Sequence, residues 1–318
     1  LPDPQNKNVL WVGTWDGGVS RVNTETGRVR NYPLPEDHVY TIMFDSSGTL
    51  WIGTWGAGLY LFDPVSEGLR HITSEDGRPG RRLSHDVVYS LMEDESGIVW
   101  VGTNGGGVSK YVPWENRFTF LSHVEGDAGT ISPGKVDAIH VDADGTTWFG
   151  IYNGGLNRYD PDTGAIRHYR HDPDDPHSLS NDIVNVIFRD SAGTLRVGTN
   201  DGLNIYRPES DDFTRVFSDG TNRTPPESTI FALEEDRHGR LWIGTHTAGV
   251  ARYNPETGIY RSFANDPEDP GSLSNDLVRD ILEDSRGTIW IGTNEGLNRY
   301  VPETDEMLRY YHDPDDSD

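Results

Sequence analysis

The 318-residue chain has no cysteine, three methionines and three lysines, at positions 7, 110 and 135. Without cysteine, disulfides, thiolate metal sites and thiol nucleophiles are excluded. No apolar run approaches the ~20 residues of a membrane-spanning helix. Basic charge is scarce: 27 Lys and Arg face 52 Asp and Glu, a formal net charge of −25. Such a chain repels phosphate backbones, so nucleic acid is not an expected partner. Helical periodicity of apolar residues is missing as well. What abounds is turn chemistry and tryptophan, with 36 Gly, 19 Pro and 9 Trp. Counting glycine with the 34% of hydrophobic residues gives an ordinary globular share, which excludes wholesale disorder.

One pentapeptide recurs seven times, as in Leu50-Trp-Ile-Gly-Thr54 and Leu241-Trp-Ile-Gly-Thr245. Its second position is held by Trp11, Trp51, Trp100, Trp148, Arg196, Trp242 and Trp290, 40 to 49 residues apart. Each unit has an apolar run (strand A), a tight Gly turn, the Trp strand (B), a Gly-bearing loop, a short strand ending in an aromatic (C) and a charged alternating strand (D). Four-stranded meanders repeating every 40–50 residues predict an all-β, seven-bladed β-propeller of antiparallel blades. A single domain over 1–318 is expected, with blades at 9–32, 38–73, 85–122, 135–170, 181–218, 228–264 and 276–311. The Trp should pack between neighbouring blades, and the Gly two residues later should let backbones approach. Arg196 either pairs with a carboxylate or marks a looser blade.

Blade 1 lacks its innermost strand within this chain, since only six A-type runs occur. The ending His312-Asp-Pro-Asp-Asp-Ser-Asp318 resembles His171-Asp-Pro-Asp-Asp-Pro176, which precedes an A strand. The expectation is that the closing strand lies beyond residue 318 and that the chain is a piece of a longer protein. The alternative is a three-stranded first blade.

The pattern LWIGT–xx–GLxRY–xPxTGxxxxY–xxDPxDPxSLSNDxVxxIxEDxxGT, clearest at Tyr159–Gly193 and Tyr253–Thr293, resembles the two-component regulator propeller repeat. That resemblance implies an extracytoplasmic (periplasmic or extracellular) sensor module of histidine kinases and hybrid two-component systems. In that family paired propellers precede a β-sandwich, a membrane helix and the kinase, and members often sense oligosaccharides. It also implies a second propeller or a homodimer as partner, and membrane attachment only through domains absent from this chain.

The residue after each pentapeptide opens the B–C loop. Asparagine, which tolerates left-handed geometry, is the generic choice there, but Trp15, Trp55, Tyr152 and His246 depart from it. These aromatics suit stacking on sugar rings, with Asp16 and Asn153 to meet hydroxyls, and Trp15 and Trp55 on adjacent blades are placed to share one ligand. The ligand-binding set is thus Trp15, Asp16, Trp55, Tyr152, Asn153 and His246, for an oligosaccharide or another small polar ligand. Alternatively, these rings pack on the adjacent loops. No catalytic residue, metal or cofactor is expected. The acidic connections 171–181 and 266–275 read as capped, solvated loops rather than cation sites, and Asp142-Ala-Asp-Gly145 as a turn. Two further functions stay open: a propeller lyase resembling streptogramin-inactivating lyases, with His246 as base, and a protein-interaction scaffold.

Overall fold

The computed structural model describes residues 1–36, 38–77, 80–218, 220–225 and 229–311. The expected start of blade 6, Ser228, and the ending 312–318 lie outside them. All regular elements of the described residues are strands, forming seven four-stranded antiparallel sheets in meander order. The fold is a seven-bladed β-propeller. Two compact units divide the chain, Leu1–His168 with blades 1–3 and nearly all of blade 4, and a second from Tyr169 onward.

Strands A of blades 2–7 are Val39–Phe44, Val88–Glu93, Val136–Val141, Val184–Arg189, Ile230–Glu235 and Val278–Glu283. In blade 1 three strands are full length: Asn6–Gly13, Val19–Asn23 and Val29–Tyr32. Its innermost place holds only the two-residue strand Pro2–Asp3, paired to Leu10 and Asn6. The blade therefore begins before residue 9.

The Trp strand is positioned by one recurring contact. The aspartate that follows the A strand lies six residues before the Trp, and its Oδ2 accepts the indole N–H. The distances are 2.7–3.0 Å for Asp45–Trp51, Asp94–Trp100, Asp142–Trp148, Asp236–Trp242 and Asp284–Trp290. In blade 1, Asp3 takes this role for Trp11 at 3.0 Å. Blade 5 shows that the aspartate, not the indole, is the constant partner. Arg196 donates from Nε and Nη2 to Asp190 Oδ2 at 2.9 and 2.7 Å, so the carboxylate stays satisfied without Trp.

Packing, however, supplies most of the energy. Trp51 sits among Val88, Val99 and Val101 of the next blade, and Trp242 among Val278, Ile289 and Ile291. Burying an indole is worth on the order of 5 kcal/mol, against about 1–3 kcal/mol for its hydrogen bond to a carboxylate. The bond orients what burial stabilises. Gly53 makes the approach possible: a Cβ there would lie 2.6 Å from Val88 Cγ1 and 2.7 Å from Thr41 Cγ2. Gly53→Ala is expected to cost about 1–3 kcal/mol by overpacking, read as a lowered denaturation midpoint; an unchanged midpoint would show that the blades yield.

The D–A connections are pinned to the following blade. Ser180 N–H donates to Asn204 Oδ1 at 2.9 Å, and Ser274 N–H to Asn298 Oδ1 at 2.8 Å, both asparagines being buried. In the acidic loops, carbonyls that a cation would use accept a guanidinium instead. Arg215 donates to the Asp172, Asp175 and Ser178 carbonyls, and Arg309 to those of Asp266, Asp269 and Ser272. Asp142–Gly145 is the expected turn, closed by the Gly145 N–H on the Asp142 carbonyl at 2.8 Å.

Candidate functional site

The B–C loop end of blades 2–7 is shaped by a β-bulge near the start of strand A. The ladder slips between Val39 and Thr41, and likewise in the A strands that begin at Val136, Val184, Ile230 and Val278. Blade 3 shows the same irregularity across Val88 and Ser90, where they oppose Thr103 and Gly102. One residue per strand leaves the pairing, which re-aims its side chain. These residues are Tyr40, Tyr89, Asp137, Asn185, Phe231 and Arg279. Tyr40, Tyr89, Asn185, Phe231 and Arg279 each meet a residue that follows one of the Trp-strand pentapeptides.

In the first unit this convergence builds an aromatic platform. Trp15 and Trp55, 48% and 43% exposed, lie with centroids 5.6 Å apart at 59°. Tyr40 stacks on Trp55 at 6.0 Å and 30°, and contacts Trp15 at 6.2 Å. Tyr89 underlies them, 4.6 Å from Tyr40 and 5.6 Å from Trp55. Burial pushes the Tyr89 hydroxyl up to about 12. Lys135 joins the fourth blade to this group: its Nζ lies 4.7 Å over the Tyr89 ring and 4.6 Å over that of Tyr152. The same Nζ is 3.1 Å from Asp137 Oδ1. Burial pushes the Asp137 carboxyl up to about 6, against the opposing pull of Lys135.

At the rim, His38 packs edge-on against Trp15 at 4.9 Å. Its Nε2 is 3.2 Å from Asp16 Oδ1, and its Nδ1 contacts Glu36 Oε1. The hydrogen bond from His38 holds the Glu36 carboxyl below its ordinary range. Each ring nitrogen of His38 thus faces a carboxylate.

The sequence-predicted residues thus separate. Trp15, Asp16, Trp55 and Tyr152 belong to or border the platform. Asn153 is exposed and adopts φ 56°, so its place in the B–C loop is that of a left-handed turn former. His246 stands on the second unit, exposed, with its ring 5.5 Å from Phe231. Among the described residues no carboxylate pairs with it. Elsewhere on that unit Asn185 donates to Asn200 at 2.9 Å, and Arg279 to Asn294 at 3.1 Å. Tyr40, Tyr89, His38, Lys135 and Asp137 were not singled out from the sequence. Their signal was a position that varies from blade to blade while its neighbour stays Val or Ile.

Chemically the platform offers half-exposed indole and phenol faces, with polar groups at the margin. That combination is chemically suited to stacking against flat or apolar-faced polar molecules. Among the described residues no group of three or more His, Asp or Glu is arranged to hold a metal.

The two-component regulator propeller family matches four stretches, residues 33–56, 82–105, 224–247 and 272–295. The chain carries two-component regulator propeller repeats. Each matched repeat runs from a D–A connection through strands A and B and ends one residue past the loop-opening residue: Trp55, Asn104, His246 or Asn294. A curated histidine kinase of Formosa agariphila is 36% identical over 85 residues, which are 27% of this chain and 6% of that protein. The extracellular domain of a hybrid two-component system from B. thetaiotaomicron superposes with a TM-score of 0.76 at 21% identity, over 92% of this chain and 38% of that one. Virginiamycin B lyase from Staphylococcus aureus shares the fold at a TM-score of 0.64 and 17% identity, over 86% and 84% of the two chains. The repeat-bearing chain therefore spans well under half of the kinase and of the sensor domain. No helix of the described residues is long and apolar enough to cross a membrane.

Proposed function

We propose that this propeller is the extracytoplasmic ligand-sensing module of a two-component-type signalling protein and that its ligand is an oligosaccharide. The observation behind this reading is the platform of Trp15, Tyr40, Trp55 and Tyr89, placed by bulges and loops where the repeat needs only turn formers. Two tryptophans almost half exposed and in mutual contact present adjacent stacking faces, each about the size of a pyranose ring. The repeats and the likeness to sensor domains support the signalling context. Catalysis is the weaker reading, because the fold shared with a lyase says nothing about chemistry. His246 also has no carboxylate partner among the described residues, and both nitrogens of His38 face carboxylates.

The test is calorimetric titration with a panel of neutral and charged oligosaccharides. Trp15→Ala and Trp55→Ala should each weaken binding about tenfold, the worth of one stacking contact, with no fall in denaturation midpoint. Affinity unchanged in both variants removes the platform from the site. Turnover of a polysaccharide or lactone that disappears in His246→Ala would replace the binding function by an enzymatic one.

A further inference from the structure

The charges around the platform differ in how far they are open to a ligand. Lys135 is one of three lysines in the chain, and its ammonium is already engaged by Asp137 and by the rings of Tyr89 and Tyr152. Only 24% of its side chain is exposed. Asp16, beside Trp15, is the opposite case. Its side chain is 82% exposed, with one oxygen 3.2 Å from His38. Glu36 stands on the other side of the same imidazole. Indole faces attract cations through their quadrupole. The whole chain, at −25, draws cations toward it and turns anions away.

We propose that the platform recognises an amine-bearing glycan, an oligomer of an amino sugar whose amines are not acetylated. This rests on the reading of the platform as an oligosaccharide site and names the ligand's charge. The sugar ring stacks on Trp15 or Trp55, and its ammonium meets the Asp16 carboxylate at the rim. A uronate or a sulfate ester would instead face Asp16 and Glu36, with the nearby lysine already committed to Asp137.

The test compares two hexamers by calorimetry at about pH 6, glucosamine hexamer and its N-acetylated counterpart, at low and moderate salt. The expected result is about tenfold tighter binding of the amine form at low salt, from one exposed charge contact plus cation–π attraction. The difference should shrink with salt, as a surface charge contact is screened, and should vanish in Asp16→Asn. Equal or tighter binding of the acetylated hexamer overturns the charge assignment and leaves the platform intact. Binding of the amine form that survives in the Trp15→Ala, Trp55→Ala double variant is nonspecific attraction to an acidic protein and also overturns the proposal. Binding of neither hexamer overturns it too, and the platform reading is then decided by the wider panel.

Discussion

Asp236→Ala is expected to destabilise the fold by about 2–4 kcal/mol, the loss of several hydrogen bonds to a buried carboxylate, one of which leaves a buried donor unsatisfied. Asp236 is 3% exposed. Its Oδ1 accepts the backbone N–H groups of His238 and Arg240 at 3.0 and 3.1 Å. Its Oδ2 accepts Trp242 Nε1 at 2.9 Å and Arg240 Nε at 2.7 Å. Alanine leaves a fully buried indole N–H without an acceptor, a guanidinium without its partner and a turn without its organising oxygen. Asp236→Asn keeps an acceptor oxygen and should cost less than half as much. The carboxyl also has a pH signature. Burial raises its pKa, but the hydrogen bonds from Trp242 and from Arg240 outweigh it and hold the value below the ordinary 3.8. A group depressed in the fold stabilises above its unfolded pKa, and that contribution is lost as pH falls through the folded value. Urea denaturation of both variants at neutral and acid pH reads these effects. A loss below about 1 kcal/mol for the alanine variant would mean that packing alone holds Trp242.

Glu234→Gln is expected to act in the other direction. Glu234 lies two residues earlier, on strand A of the same blade and opposite Trp242, and accepts the Glu283 N–H at 3.0 Å. Burial, aided by Asp280, Glu283 and Asp236, pushes its carboxyl up to about 7, from an ordinary 4.5. Between those values the folded state holds a proton that the unfolded chain has released. Stability therefore falls as pH rises from about 4.5 to about 7. Glutamine keeps an acceptor for Glu283 and carries no charge. At pH 8 the variant should be more stable by about 2–3 kcal/mol, with the gain vanishing near pH 4.5. Thermal midpoints of both proteins across that range check it; parallel curves would show that Glu234 ionises freely in the fold.

Much of the architecture was legible because the scaffold repeats. Trp51, Trp100 and Trp148 recur at a nearly constant spacing, and the closing Asp lies six residues before each, so blade number and the meander followed directly. Arg196 showed why a motif should be read by the partner it satisfies, since the carboxylate of Asp190 accepts either an indole or a guanidinium. At the candidate site, residue type and geometry carried different information. Trp15 and Trp55 stood out because a turn does not need them, and the structure brings them into contact. Asn153 adopts the left-handed backbone geometry that its residue type tolerates. Tyr40 and Tyr89 were hidden by strand periodicity. Alternation along an A strand assigns every residue to one face or the other, and a bulge is an extra residue that alternation cannot represent. Lys135 and His38 lie just before their A strands, in connections whose course is set by the next blade and not by local pattern.

The bulge has a consequence for how such proteins diversify. Tyr40, Tyr89, Asp137, Asn185, Phe231 and Arg279 occupy equivalent positions, yet they span aromatic, acidic, amide and basic chemistry, while the residue before each is Val or Ile. A side chain that has left the ladder can be exchanged without disturbing a rung. Blades 2–7 thus each offer one letter that can be rewritten independently of the others, and together these letters set the chemistry of the B–C loop end. New surface chemistry can then arise by single substitutions on an unchanged frame, one blade at a time.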